Sequence, residues 1–185
     1  MAERVVEVAP DRLPGWLERF GRNNPNGPQR ILATSDPLPA PFAVLLIRRG
    51  GYAVGVADRD ALLAHKVGTR RVQSRTAAGG WSQQRFARRR DNQADALVGA
   101  VADHLVRVRE SAGVAVHGLA LGGDRALVAQ VLEDSRLVDL RHLPTREYPG
   151  VSDPRRVVLD EVARRARAYE VRIDDGPQER PNPPA

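Results

Sequence analysis

The chain has 185 residues, 42% of them apolar and 28% charged, with no cysteine and a formal net charge of +6. That length suits one domain with a real hydrophobic core and is marginal for two. The lack of cysteine excludes disulfides and thiolate metal sites, and the four scattered histidines (His65, His104, His117, His142) lack metal-ligand spacing, so neither metal nor cofactor is expected.

In chain order, Met1 to Glu7 is too charged for a secretory signal, and Arg4 to Val8 alternates like a short strand. Pro10 to Phe20 predicts a helix, because Leu13, Trp16, Leu17 and Phe20 fall on one face. A turn-rich stretch from Gly21 to Pro28 leads to a strand edge at Ile31 to Ala33, then a stiff proline loop from Asp36 to Pro41. Phe42 to Arg48 and Tyr52 to Ala57 flank Arg49-Gly50-Gly51 and read as a β-hairpin. The run Phe42 to Ile47 is too short to span a bilayer and predicts a buried strand, so no membrane partner and a cytoplasmic location are expected.

Asp58 to His65 reads as a short helical connection and Val67 to Thr76 as a strand. Ser82 is placed to cap a long helix running to about Ser111, with Gly113 ending it. Its apolar stripe is Phe86, Ala94, Leu97, Val98, Val101, Leu105 and Val108; Arg85, Arg88, Arg89 and Asn92 share another face. Val114 to Leu121 predicts a strand, turning at Gly122-Gly123-Asp124 into a helix from Arg125 to Asp134. Leu137 to Leu143 reads as a strand, and Asp153-Pro154 as the start of a last helix ending near Tyr169. The alternation predicts an α/β fold, a mixed β-sheet packed with helices in βαβ layers, as one domain over 1–174. The Pro-rich tail at 175–185 is expected to be disordered.

The charge is local. Eight basic residues and no carboxylate lie between Lys66 and Arg90, more than the whole net charge, so the remainder is net acidic. Such a block points to a polyanion. Within it, Gly79-Gly80-Trp81-Ser82-Gln83-Gln84 joins a basic strand to a basic helix. The glycines allow close approach of backbone to a partner, and the first N–H groups of the helix favour a phosphate or a developing oxyanion. A strand-to-helix turn with a solvated arginine face fits the same residues.

The stretch Gly79-Gly80-Trp81-Ser82-Gln83-Gln84-Arg85-Phe86-Ala87-Arg88-Arg89-Arg90 resembles Gly-Gly-Gln-Ser-Ala-Leu-Arg-Phe-Ala-Arg-Leu-Arg of eukaryotic and archaeal class I release factors. Both glycines, Ser82, Arg85, Phe86, Ala87, Arg88 and Arg90 match, and His117 to Asp124 is similar to that family's second strand and glycine turn. Trp81 stands where the catalytic glutamine would align. The displaced glutamines are similar to the Gly-Gly-Ser-Gln loop of ankyrin-repeat, zinc-finger peptidyl-tRNA hydrolases, and the chain is identified as a member of the actinobacterial-type branch.

The resemblance implies a release-factor catalytic-domain-like fold and hydrolysis of peptidyl-tRNA on the ribosome, in rescue or quality control. Its implied partners are peptidyl-tRNA and the large subunit at the peptidyl transferase centre, not DNA. Gln83 is the counterpart of the catalytic glutamine, with Gln84 as the alternative and Gly79 and Gly80 shaping the loop. Arg70, Arg71, Arg75, Arg85, Arg88 and Arg89 would hold RNA phosphates, and Trp81 either stacks on a base or packs the loop. A non-catalytic RNA-binding factor is the second reading. An RNA nuclease is the third, disfavoured because the block holds no His or carboxylate to manage protons.

Overall fold

The computed structural model describes residues 3–69 and 82–176, the side chains of 82–93 excepted. Its elements in chain order are β1 (Glu3–Val8), α1 (Leu13–Asn23), β2 (Arg30–Ser35), β3 (Phe42–Arg48), β4 (Gly51–Ala57), β5 (Leu62–Thr69) and α2 (Ser82–Ala112). There follow β6 (Gly118–Gly123), α3 (Arg125–Leu132), β7 (Thr145–Tyr148), α4 (Arg156–Ala166) and β8 (Tyr169–Asp174). The sequence reading gives one domain over 1–174; contacts divide the chain into two compact units, one spanning Leu38–Ala166 and one made of the segments on either side of it.

The larger unit is built on the apolar run. β3 sits centrally in a five-stranded mixed sheet of order β5-β4-β3-β6-β7, antiparallel to β4 and parallel to β6. Alternate side chains of β3 serve two cores. Ala43, Leu45 and Ile47 meet Leu97, Val101, Leu105 and Val108 of α2 and Leu127, Val128 and Val131 of α3. Phe42, Val44 and Leu46 meet Leu159, Val162, Ala163 and Ala166 of α4. Burial on both faces is why the strand reads as a continuous apolar run and not as an alternation. The fold is therefore α/β, a mixed sheet with helices on both faces.

The smaller unit is a three-stranded antiparallel sheet of order β1-β8-β2. Val6, Val8, Val171 and Ile173 pack with Leu13, Trp16 and Phe20, the last two stacked with ring centroids 5.3 Å apart. Leu17, expected on the same face of α1, is exposed.

Several expectations are corrected. Asp58 to His65 is not helical: Asp58 closes a tight turn by accepting from the backbone N–H of Asp60 and Ala61, and β5 begins at Leu62. The expected strand at Val67 to Thr76 is thus the end of β5, with 70–76 outside the described residues. Leu137 to Leu143 is not a strand but part of a 3-10 segment, Ser135–His142, whose buried Leu137 and Leu140 sit three apart. The true strand there is β7. The last helix starts at Arg156 instead of Pro154, with Asp153 paired to Arg155 at 2.9 Å, and it stops at Ala166. Beyond it lies β8, Tyr169–Asp174, a strand that the sequence reading does not assign.

Local caps explain where elements stop and start. Gly113, at φ +64°, ends α2 and donates its N–H to Glu110 at 3.1 Å. The Asp124 carboxylate accepts from the backbone N–H of Ala126 at 3.0 Å and Leu127 at 3.3 Å, starting α3. Asp124→Ala should cost about 1 kcal/mol in a urea titration; an unchanged midpoint would show that the cap contributes nothing.

Asp134 starts the 3-10 segment by accepting from the Arg136 N–H at 2.9 Å. Its carboxyl is held down to about 2, chiefly by the hydrogen bonds of the Arg136 guanidinium and backbone. The folded value lies below the ordinary one, so this contribution is complete above pH 4 or so and is lost as pH falls through about 2. A carbon-detected NMR titration of the Asp134 carboxyl should show that low midpoint; an ordinary aspartate midpoint would mean the contact does not persist.

Candidate functional site

The parallel strands β3, β6 and β7 all end on one side of the sheet, at Arg48, Gly123 and Tyr148. β5 ends there too, since Thr69 opposes Gly51 and Gly51 opposes Arg48. The carboxyl ends of parallel strands are where α/β sheets place their sites, because helices start and loops gather there. Lys66, the first residue of the basic segment, lies in β5 three residues before this end.

α2 brings the chain back. Its 31 residues give a length of roughly 46 Å, about twice that of a seven-residue strand. The buried anchor begins at Leu97, and Ser82 lies fifteen residues earlier, roughly 22 Å along the axis. No acidic residue occupies the first turn, so the free N–H groups and positive dipole end of α2 meet no carboxylate of that turn.

Gln83, Gln84, Arg85, Arg88 and Arg89 fall in the first turns of α2, where the backbone is helical and the side chains lie outside the described residues. Arg70, Arg71, Arg75, Gly79, Gly80 and Trp81 also lie outside them. What the structure supplies is the frame: an edge strand leading out and a long anchored helix leading in.

The root of that frame is tightly packed. A Cβ at Gly68 would come within 2.4 Å of the Tyr52 ring, so only glycine lets this ring lie against β5. His104 of α2 stacks on Tyr52, with centroids 5.2 Å apart and planes 15° apart. Burial, then the charges of Lys66 and Arg107, lowers the His104 pKa against the opposing pull of Asp103; burial raises the Tyr52 hydroxyl. The neutral imidazole is thereby favoured where helix, β4 and β5 meet.

A cavity of about 370 Å³ opens beside the same strand ends, lined by residues including Gly122, Gly123, Arg125, Glu147, Tyr148 and Pro149. Its two charged walls neutralise each other, with Arg125 paired to Glu147 at 2.5 Å. Among the described residues no cluster of three or more His, Cys, Asp or Glu could hold a metal, and no helix is long and apolar enough to cross a membrane.

The sequence reading does not place the ends of β3, β5 and β6 together, because that placement is set by strand pairing between segments distant in the chain.

The architecture defines an α/β domain whose longest helix returns from a glycine-rich basic segment. Over residues 40–172 the chain matches the family described as Actinobacteria/chloroflexi VLRF1 release factor, and it belongs to that family. No curated protein matches the chain.

Among solved structures, it is similar to the archaeal translation termination factor aRF1, with 12% identity and a TM-score of 0.38, over 68% of this chain and 36% of that one. It is also similar to the ROK hexokinase of Thermus thermophilus, with 19% identity and a TM-score of 0.32, over 58% of this chain and 33% of that one. The chain spans about a third of the length of each.

Proposed function

We propose that the chain is a peptidyl-tRNA hydrolase that frees nascent peptides from stalled ribosomes or large subunits in the cytoplasm. The observation that carries this reading is the family match over 40–172, which encloses the whole Gly79-Gly80-Trp81-Ser82-Gln83-Gln84 motif, its last three residues opening α2. The partners are the large ribosomal subunit at its peptidyl transferase centre and the peptidyl-tRNA held there.

The chemistry is attack of water on the ester carbonyl joining peptide to tRNA. A new C–O bond forms from water, the acyl–ribose C–O bond breaks, and the departing ribose oxygen takes up a proton. A glutamine has no pKa suited to general base work near neutrality. The Gln83 carboxamide instead accepts from and donates to a water, holding it in line with the carbonyl, while a backbone N–H at the loop faces the developing oxyanion. Gly79 and Gly80 let the backbone come close. Arg70, Arg71, Arg75, Arg85, Arg88 and Arg89 hold RNA phosphates, and Trp81 is the candidate stacking residue.

Purified ribosome–nascent chain complexes test the reading. Wild type should release the peptide and leave full-length tRNA. Binding without release would favour a non-catalytic ribosome-associated factor, a reading motivated by Trp81 at the position of the parent glutamine. A cut tRNA would favour a nuclease.

A further inference from the structure

α2 is held to the sheet chiefly by apolar contact. Leu97, Val101, Leu105 and Val108 share one core cluster with Leu45 of β3 and Val54 of β4. Burial of this kind is non-directional, so it does not by itself fix the angle at which the helix crosses the strands. A ring stack supplies direction. Tyr52 of β4 lies so close over Gly68 of β5 that a Cβ there would come within 2.4 Å of the ring. His104 of α2 stacks on the same ring, with centroids 5.2 Å apart and planes 15° apart. Among the described residues this is the one stacked ring pair that joins a helix to the five-stranded sheet. Stacked rings hold a preferred mutual geometry, so the contact specifies orientation as well as proximity.

The stack touches both arms of the frame. Gly68 immediately precedes Thr69, the last residue of β5, and Ser82 opens α2 twenty-two residues before His104, roughly 33 Å along the axis. A tilt of about 10° at His104 would carry Ser82 roughly 6 Å, and a misplacement of about 1 Å at a reacting centre can cost about 10²-fold. The surroundings select the uncharged imidazole. Burial, Lys66 of β5 and Arg107 of α2 disfavour the imidazolium. Asp103 favours it, but that carboxylate is already paired with Arg136 of the 3-10 segment at 2.8 Å. Tyr52, facing from β4, stays a neutral phenol because burial raises its hydroxyl. Because folded His104 ionises below its ordinary value of 6.5, the stack is complete above that pH and is lost as pH falls through the lower folded value.

We propose that His104 is a positioning residue for peptide release, setting through its stack on Tyr52 the angle at which α2 presents the loop. The inference rests on the proposed function and deepens it by adding a form of regulation. Protonation of His104 unseats the helix from β4 and β5, and release slows in acid.

The chain has no cysteine, so Gly50→Cys/Asp95→Cys places a unique pair of spin labels on the hairpin turn and on the exposed side of α2. The distance between them is read at pH 7.5 and 5.5, with His104 in place and with His104→Phe, which keeps a stacking ring that cannot ionise. With His104 the distribution should be narrow at pH 7.5 and widen by roughly 2 Å at pH 5.5, whereas His104→Phe should hold it narrow at both. In parallel, unlabelled wild type and His104→Phe are compared in peptide release from ribosome–nascent chain complexes at saturating protein. The wild-type rate divided by the variant rate should be near one at pH 7.5 and fall at least about threefold by pH 5.5, with half-saturation unchanged. A distance that ignores pH with His104 in place, or that widens equally in His104→Phe, overturns the role of His104, whether or not wild type releases peptide. A rate ratio that stays flat overturns it too. The expected change in distance with no release by wild type at either pH keeps the pH-sensitive seat of α2 and removes the hydrolase reading.

Discussion

Gln83→Ala should lower single-turnover peptide release by about 10²- to 10³-fold while leaving ribosome binding within about twofold of wild type. The magnitude is that of removing one preorganised polar group from the place where charge develops, about 3–4 kcal/mol. Binding should hardly change because the proposed reading assigns the phosphates to the arginines and not to the glutamine. Gln84→Ala should lose less than about tenfold, the cost of disturbing a neighbour of the group proposed to orient the water. Release at the wild-type rate in both variants would remove the glutamine mechanism. A large loss in Gln84→Ala with none in Gln83→Ala would move the role by one residue.

Gly123→Ala should be among the most destabilising single changes in the larger unit. Gly123 has φ +99°, and a Cβ there would lie 2.2 Å from the Ile47 carbonyl oxygen. That oxygen accepts the Asp124 N–H at 2.8 Å, so it cannot move aside without loosening the turn into α3. Backbone strain costs about 1–3 kcal/mol and overpacking about as much again. Against a usual stability of about 5–15 kcal/mol, the loss should be plain in the urea midpoint. Gly150→Ala, where a Cβ meets nothing within 4 Å, is the control and should shift it little. Equal midpoints for the two variants would show that the β6 turn tolerates a side chain.

What was legible in the sequence follows from how strongly each segment is constrained locally. The β3–β4 hairpin was clear because two apolar runs bracket Gly50-Gly51, and α2 because its stripe from Ala94 to Val108 ends at a glycine that the structure shows at positive φ. β8 was hidden because Tyr169–Asp174 follows a helix directly and finds its partners, β1 and β2, at the far end of the sequence. Leu137 and Leu140 misled because two buried leucines three apart also fit an irregular strand.

The start of β5 was missed for a different reason. As an edge strand it buries little, and only its pairing with β4 reveals it. The proposed site rests on a motif, Gly-Gly-Trp-Ser-Gln-Gln between basic flanks, and the sequence did not disclose the setting of that motif. That β5, β3 and β6 end together beside Arg48 is a property of the sheet.

The most direct measurement of the central claim is release carried out in ¹⁸O-labelled water, followed by mass analysis of both products. Hydrolysis aided by Gln83 predicts one ¹⁸O atom in the carboxyl terminus of the freed peptide and a tRNA ending in an intact, unlabelled 3′ adenosine. A peptide that leaves still joined to a nucleotide, or none released by protein that binds, would contradict it.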